Sequence, residues 1–398
     1  MNTEQKAIIT INASKNIMGI FLGPFLTVYF IKTSQDSLLT ISTYYILAFF
    51  ILAIGTILVA VIVNRKYRIE MYRFGVVVNF IYMMSIVILQ SKIVNYLPII
   101  AILYGISMAT YWYPYNMFIS NKIENKERTK FTVLNSTISS IIGVFAPIIL
   151  GTIITVSDFR LTSVIIAIIS GIVIILSFFI KTEKDYKLPP VEYKETWKYL
   201  IKYKATRKTL FTQFLIGLTA SDGALNILTT VIIFESFKTD LNLGIITSIA
   251  TILKILYLRL YQKKFSGKKD KALIILSSFI PSLSLLLLIF LKTNITLVLY
   301  NICFTVFTGL LLLIAEVRMF NISNSNLIDE DKQVEFLAFR ELVLNFGRIT
   351  SYLLVIVLII TNIKNSLNIL LIVLTLLIIY MGYNVSRLNK YEKVKWCK

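Results

Sequence analysis

Long apolar runs constrain this chain more than any single residue does. They lie near 9–31, 39–63, 73–90, 95–119, 131–156 and 161–180 and, after a polar break, near 209–234, 242–260, 271–291, 294–320, 336–360 and 365–386. A run of about eighteen or more apolar residues, rising about 1.5 Å per residue, is long enough to cross a hydrocarbon core about 30 Å thick. Inside such a core each backbone N–H and C=O must find its partner within its own segment, so the runs predict helices. Composition agrees: 57% of the 398 residues are hydrophobic and 16% are charged, which excludes an ordinary soluble domain. The expected fold class is an all-α integral membrane protein with twelve transmembrane helices in two groups of six.

The basic residues test this count. If both termini are cytoplasmic, 30 of the Lys and Arg residues fall on inner segments, whereas the outer loops carry only Lys32, Lys92, Arg160, Lys238, Lys292 and Lys364. The asymmetry predicts a multi-pass protein of the cell membrane with both ends inside. The formal charge of +20 is then mostly topological and does not argue for a nucleic-acid partner. The N-terminus lacks a basic region and a small-residue cleavage site, so it reads as a first span rather than a signal peptide. Cys303 and Cys397, one in the tenth span and one in the tail, do not read as a disulfide.

Three segments organise the chain: a six-helix half at 1–180, a cytoplasmic linker at 181–208, and a second six-helix half with a tail at 209–398. In the linker, Trp197, Leu200, Ile201 and Lys204 share a helical face beside basic residues, the pattern of a short helix on the inner leaflet; a solvated tether is the plainer reading. The halves are related. At an offset of 205 residues, "YNMFISNKIENKERTKF" falls on "FNISNSNLIDEDKQVEF", pairing Asn116 with Asn321, Ile123 with Ile328 and Phe131 with Phe336. "IKT" at Ile31 to Thr33 meets "FKT" at Phe237 to Thr239 at nearly the same offset, which argues for a duplicated six-span unit.

Several function classes are excluded or weakened. The nearest approach to a phosphate-binding loop, "SGKK" at Ser266, has Gln262 and Lys269 where a Gly and a Ser or Thr are required. The chain has no His, so histidine-ligated metals and histidine bases are absent, and neither a metal site nor a cofactor is expected. Nothing in the sequence points to an enzyme.

Two six-span halves joined by a basic inner linker resemble the major facilitator superfamily, and within it poorly characterised bacterial permeases. The loop between spans two and three, "VNRKYRIEMYRFG", keeps the basic residues of the family signature without its aspartate. "GVFAPIILG" at Gly143 to Gly151 is similar to a shortened form of the Gly- and Pro-rich motif of the drug/proton antiporters. The resemblance implies a secondary active transporter working by alternating access, with spans 1, 4, 7 and 10 around a central cavity and a small-molecule solute near the midplane. The alternatives are a lipid or amphiphile flippase or exporter on the same fold, and a drug/proton antiporter.

A cavity helix should carry its polar groups on one stripe at spacing three and four. Asn12, Lys15, Asn16, Gly19, Gly23 and Thr27 do so in span one, Trp112, Tyr115 and Asn116 in span four, Thr219, Asp222, Asn226, Thr229 and Thr230 in span seven, and Asn301, Thr305, Thr308 and Glu316 in span ten. Asn16, Trp112, Tyr115, Asn116, Thr219, Asn226 and Asn301 are the candidate solute-cavity residues. Polar stripes also serve as glue between helices, and Trp and Tyr also mark the headgroup level. Lys15 lies near enough to the inner surface to snorkel.

Asp222 is too deep to snorkel on a short side chain, and an intramembrane carboxylate must face protein or water. It is the first candidate for coupling protons to transport, with Glu316 the second; a structural ion pair with Lys15 or Lys254 is the other reading. Near the inner ends of spans ten and eleven, Arg318, Arg340, Glu341 and Arg348 form a charge cluster together with Asn345 and Glu316. Those four are the candidate gating residues if their pairs form in only one conformation, and a static staple if they do not. Mid-membrane charges comprise five cations and three anions, an excess that reads either as a preference for an anionic solute or as snorkelling at the inner ends.

Overall fold

The computed structural model describes residues 3–34, 37–65, 68–122, 125–181, 191–264, 270–323, 328, 332–361 and 366–392. Among them there are helices and no strands. Eleven stretches are long and apolar enough to cross a membrane, but one of them, Arg68–Tyr115, is 48 residues long. As a single helix it would run about 72 Å, more than twice the hydrocarbon core. It divides at a 3-10 segment, Gln90–Tyr96, entered through Gln90 at φ 45, so the described residues hold twelve spans. The protein is therefore an all-α, multi-pass membrane protein.

The chain forms two compact units, Met1–Pro190 with Phe237–Ser248, and Val191–Ser236 with Ile249–Lys398. In the first unit, span one is helical over Thr3–Ile20 and Leu26–Thr33, with a π-helical turn, Phe21–Phe25, between them. Pro24 sits in that turn and has no N–H to donate, which accounts for the local change of hydrogen-bond register. Spans two to six are Ser37–Arg65, Arg68–Leu89, Leu97–Lys122, Asn125–Val156 and Phe159–Ser177. Span one packs on spans five and six, and span three on spans four and six. Span two packs on span four, where a small residue allows the approach: a Cβ on Gly105 would lie 2.6 Å from the Ala48 carbonyl oxygen.

The second unit holds span seven, Lys204–Thr219 and Ala224–Phe237, up to Ser236, and the part of span eight, Asp240–Lys264, that follows Ser248. Spans nine to twelve are Asp270–Leu291, Asn294–Ser323, Gln333–Thr361 and Ser366–Glu392. Span seven packs on eleven and twelve, and span nine on ten and twelve. Those pairings repeat the ones in the first unit, as a duplication of six spans requires.

The linker contributes a helix, Tyr193–Lys202, that packs on the second unit. Thr196 and Leu200 are buried, Leu200 in a cluster with Met319, Ile328, Phe336 and Phe339. The buried face is thus used against protein, and Trp197 and Ile201 stay exposed. Lys204 lies beyond the helix, at the start of span seven.

The start of span eight sits with the first unit. A Cβ on Gly244 would lie 2.3 Å from the Pro147 carbonyl oxygen, and one on Gly151 would lie 2.6 Å from that of Asp240. The Asp240 carboxylate pairs with Lys32 at 2.6 Å.

Candidate functional site

Span seven is broken where its charge lies. Its first half ends at Thr219, its second begins at Ala224, and Asp222 between them has φ 55, a left-handed conformation that Asp tolerates better than most residues. The run "TASDG" explains the break: Asp followed by Gly is a turn signal, and a Cβ on Gly223 would lie 2.6 Å from the Gly217 carbonyl oxygen. The apolar residues on either side hide that signal from a hydropathy reading.

The break leaves backbone groups that need partners inside the membrane. Span eleven supplies them. Arg348 donates from Nε to the Ser221 carbonyl at 2.8 Å, from Nη2 to the Ser221 hydroxyl at 3.0 Å, and from Nη1 to Asn345 Oδ1 at 2.8 Å. The Tyr352 hydroxyl donates to the Asp222 carbonyl at 3.1 Å, and the Ala224 N–H donates to the Ser351 hydroxyl at 3.0 Å. A guanidinium at the carboxyl end of the first half-helix also meets the negative end of its dipole.

Arg348 reaches the Asp222 carboxylate as well, Nη2 to Oδ2 at 2.9 Å. The pair is lopsided: the Asp222 side chain is 66% exposed and that of Arg348 is 10% exposed. Within its own unit Asp222 is therefore paired with Arg348, and not with Lys254.

The break also divides the stripe drawn along span seven. Asn226 is exposed like Asp222, but Thr219 is fully buried, its hydroxyl donating to the Leu215 carbonyl and facing the Met381 sulfur. In span ten Thr308 is buried and bonded to its own backbone, whereas Asn301 Oδ1 is buried and accepts no hydrogen bond among the described residues.

The charge cluster separates into parts. Arg340 pairs with Glu341 at 2.5 Å, approaches Glu316 at 3.9 Å, and donates to Gln213 at 3.3 Å. Arg318 donates to the Val385 carbonyl. Asn345 donates to the Glu341 carbonyl at 2.8 Å and accepts from Arg348 at its Oδ1, so its side-chain oxygen serves the arginine that holds the break in span seven. Ser221, Ser351, Tyr352 and Gln213 take part in this network and had no signal of their own in the sequence.

In the first unit, Asn16 donates to Ser139 and Asn12 to Asn135, each at 2.8 Å, two rungs one turn apart between spans one and five. Lys15 does not snorkel. It is 8% exposed, and its ammonium lies 4.4 Å from the centre of the Tyr111 ring. Tyr111 stacks on Tyr115 at 5.6 Å, and Trp112 stands edge-on to both. Trp112 is exposed and Tyr115 is buried. The Asn116 side chain lies outside the described residues. Among the described residues no group of three His, Cys, Asp or Glu side chains gathers as a metal site.

A family model described as Major Facilitator Superfamily matches residues 9–352. The chain is 23% identical over 299 residues to the uncharacterized protein YqgE of Bacillus subtilis (strain 168), covering 73% of this chain and 68% of that one. Its fold is similar to the crystal structure of a point mutant of the nucleoside transporter NupG, with a TM-score of 0.71 and 14% identity over 97% of this chain and 100% of that one. It is also similar to the human organic anion transporter MFSD10 (TETRAN), with a TM-score of 0.67 and 9% identity over 96% of this chain and 99% of that one.

Proposed function

The chain belongs to the Major Facilitator Superfamily, and from that premise we propose that it carries a small solute across the cell membrane by alternating access, driven by protons that bind Asp222. That it is a secondary transporter follows from the family and the transporter fold; the solute, the coupling ion and the roles of single residues are the proposal.

One observation carries it. An exposed carboxylate stands at a break in a membrane-spanning helix, and its partner is the arginine that holds the break together. Charged Asp222 keeps Arg348 between itself and the Ser221 carbonyl. A proton on Asp222 cancels the charge that Arg348 faces and weakens a charge-assisted bond, so occupancy by a proton changes how firmly the two half-helices are tied. Discontinuous spanning helices are a recurring place for coupling ions in transporters. Glu316, paired with Arg340, is the second coupling candidate.

For the solute, the reading assigns Asn226 and Trp112, which are exposed, and Asn301, whose buried carbonyl oxygen lacks a donor. Asn16, Tyr115 and Thr219 support the helices that carry them, through Ser139, the Tyr111 ring and Met381. Arg318, Arg340 and Glu341 remain gate candidates with Arg348. The two six-helix halves, 1–180 and 209–398, act as the moving parts, both termini facing the cytoplasm.

The test uses the purified protein in sealed vesicles with a mixture of metabolites and an imposed pH gradient, read by mass spectrometry. Wild type should accumulate its solute only with the gradient. Asp222→Asn should lose accumulation and keep exchange of solute at equal concentrations. Accumulation by Asp222→Asn at the wild-type level and with the wild-type pH dependence returns Asp222 to a structural role.

A further inference from the structure

Lys15 is a buried cation that pairs with no carboxylate among the described residues; its close partner there is the Tyr111 ring face. A ring face attracts the positive charge but cannot accept three N–H bonds, so the ammonium keeps hydrogen-bonding capacity that water supplied before burial. A buried charge left in that state is costly, which makes its retention in a membrane-spanning helix informative.

The surroundings show where a partner would fit. The rungs from Asn12 to Asn135 and from Asn16 to Ser139 fix the helix on both sides of Lys15. Next along the same stripe come Gly19 and Gly23, where an added Cβ would meet no atom within 4 Å. Side chains on a helix lean toward its N-terminus, so the space left free by Gly19 lies over the turn that carries Lys15 and Asn16. The π-helical turn with Pro24 follows directly, a distortion often found at functional sites.

We propose that Lys15, with the open strip over Gly19 and Gly23, is an oxyanion-binding site, and that the carried solute presents a carboxylate or phosphate group to it. The solute assignment rests on the transporter reading above; the anion site does not. An oxyanion would satisfy the ammonium directly, while Tyr111 holds the side chain in place from the other side.

The test takes wild type, Lys15→Met, which keeps the stem without the charge, and Lys15→Arg, which keeps the charge. Phosphatidylcholine vesicles are loaded with a mixture of short carboxylic acids and phosphate monoesters, each matched to a neutral amide or alcohol of the same skeleton. Acids should leave through wild type about tenfold faster or more than through Lys15→Met. Lys15→Arg should retain most of that rate, and the neutral compounds should show no such dependence. Gly19→Leu, which fills the strip with Lys15 intact, should slow the acids in the same way and guards against misfolding of Lys15→Met. Acids crossing equally fast through Lys15→Met and Gly19→Leu, or preferential movement of the neutral compounds, overturns the solute assignment while leaving the transporter reading standing.

Thermal unfolding in detergent tests the site without transport. Stabilisation by the soluble acids that Lys15→Met abolishes supports the site even if no solute crosses. Stabilisation only by added phosphatidylglycerol, again abolished in Lys15→Met, assigns the same oxyanion chemistry to a lipid headgroup. No Lys15-dependent effect of either anion source overturns the site.

Discussion

Gly217 and Gly347 bring the seventh and eleventh spans into backbone contact: a Cβ on Gly217 would sit 2.0 Å from the Leu344 carbonyl oxygen, and one on Gly347 would sit 2.1 Å from that of Phe214. This contact places Arg348, the next residue, beside the break at Ser221 and Asp222. Backbone atoms cannot rotate away as a side chain can, so either Gly→Ala change forces the helices apart and should destabilise the fold by about 1–3 kcal/mol or more. Thermal unfolding of Gly347→Ala in detergent checks this. Gly171→Ala is the control, because its Cβ would meet the Phe80 ring at an ordinary 3.4 Å and should change little.

Asp222 and Arg348 form one ion pair but should differ sharply when mutated. Asp222 is mostly exposed, so its share of the pair resembles that of a surface bridge, about 0–1 kcal/mol. Arg348 is buried, and its loss leaves the Ser221 carbonyl and Asn345 Oδ1 without their donor. Bonds to charged groups contribute about 1.5–3 kcal/mol each, so Arg348→Ala should cost about 3 kcal/mol or more and Asp222→Asn under about 1 kcal/mol. Unfolding curves of both variants measure the difference. Equal losses would mean that the carboxylate, and not the backbone of the break, is what Arg348 holds.

Much of this architecture was legible in the sequence, because twelve spans are a matter of apolar length and every span must satisfy its own backbone. The relation between the halves was legible too as an offset of 205 residues, and at the level of helices span one packs on five and six as span seven packs on eleven and twelve. The break at Asp222 was not, since an averaged apolar run passes over four residues; the Asp-Gly pair carried the signal and was outweighed. The partner of Asp222 was beyond reach for another reason. It lies 126 residues away, and the register that brings it there is set by two glycines whose role is visible only once the helices are packed. Lys15 failed similarly, because burial under Tyr111 depends on span four and not on distance from the span's end.

Orientation is testable at exposed lysines. After Cys303 and Cys397 are replaced by Ser, single cysteines at Lys92, Lys238 and Lys292 should react with a membrane-impermeant maleimide on intact cells. Cysteines at Lys202, Lys263 and Arg387 should react only after permeabilisation. Lys238 is the better site on its loop, since the neighbouring Asp240 is buried in its pair with Lys32. Labelling of Lys202 in intact cells would reverse the assignment of sides drawn from the basic residues.

Lys32 and Asp240 are paired at 2.6 Å, and each also suits the helix end on which it stands. Lys32 is in the last turn of span one, where a cation favours the helix dipole, and Asp240 opens span eight, where an anion does. Asp240 is nearly buried, with 7% of its side chain exposed against 41% for Lys32, so Lys32→Met strands a carboxylate and should cost more than Asp240→Asn. The informative variant is the exchange Lys32→Asp with Asp240→Lys. It restores the attraction between the two side chains but sets both charges against their helix ends, each a loss of about 0.3–1 kcal/mol beyond the missing native term. The exchanged protein should therefore unfold at a lower temperature than wild type, although above Lys32→Asp alone, in which two carboxylates face each other. Full recovery by the exchange would show that the pair acts through its mutual attraction only and that the helix ends contribute nothing.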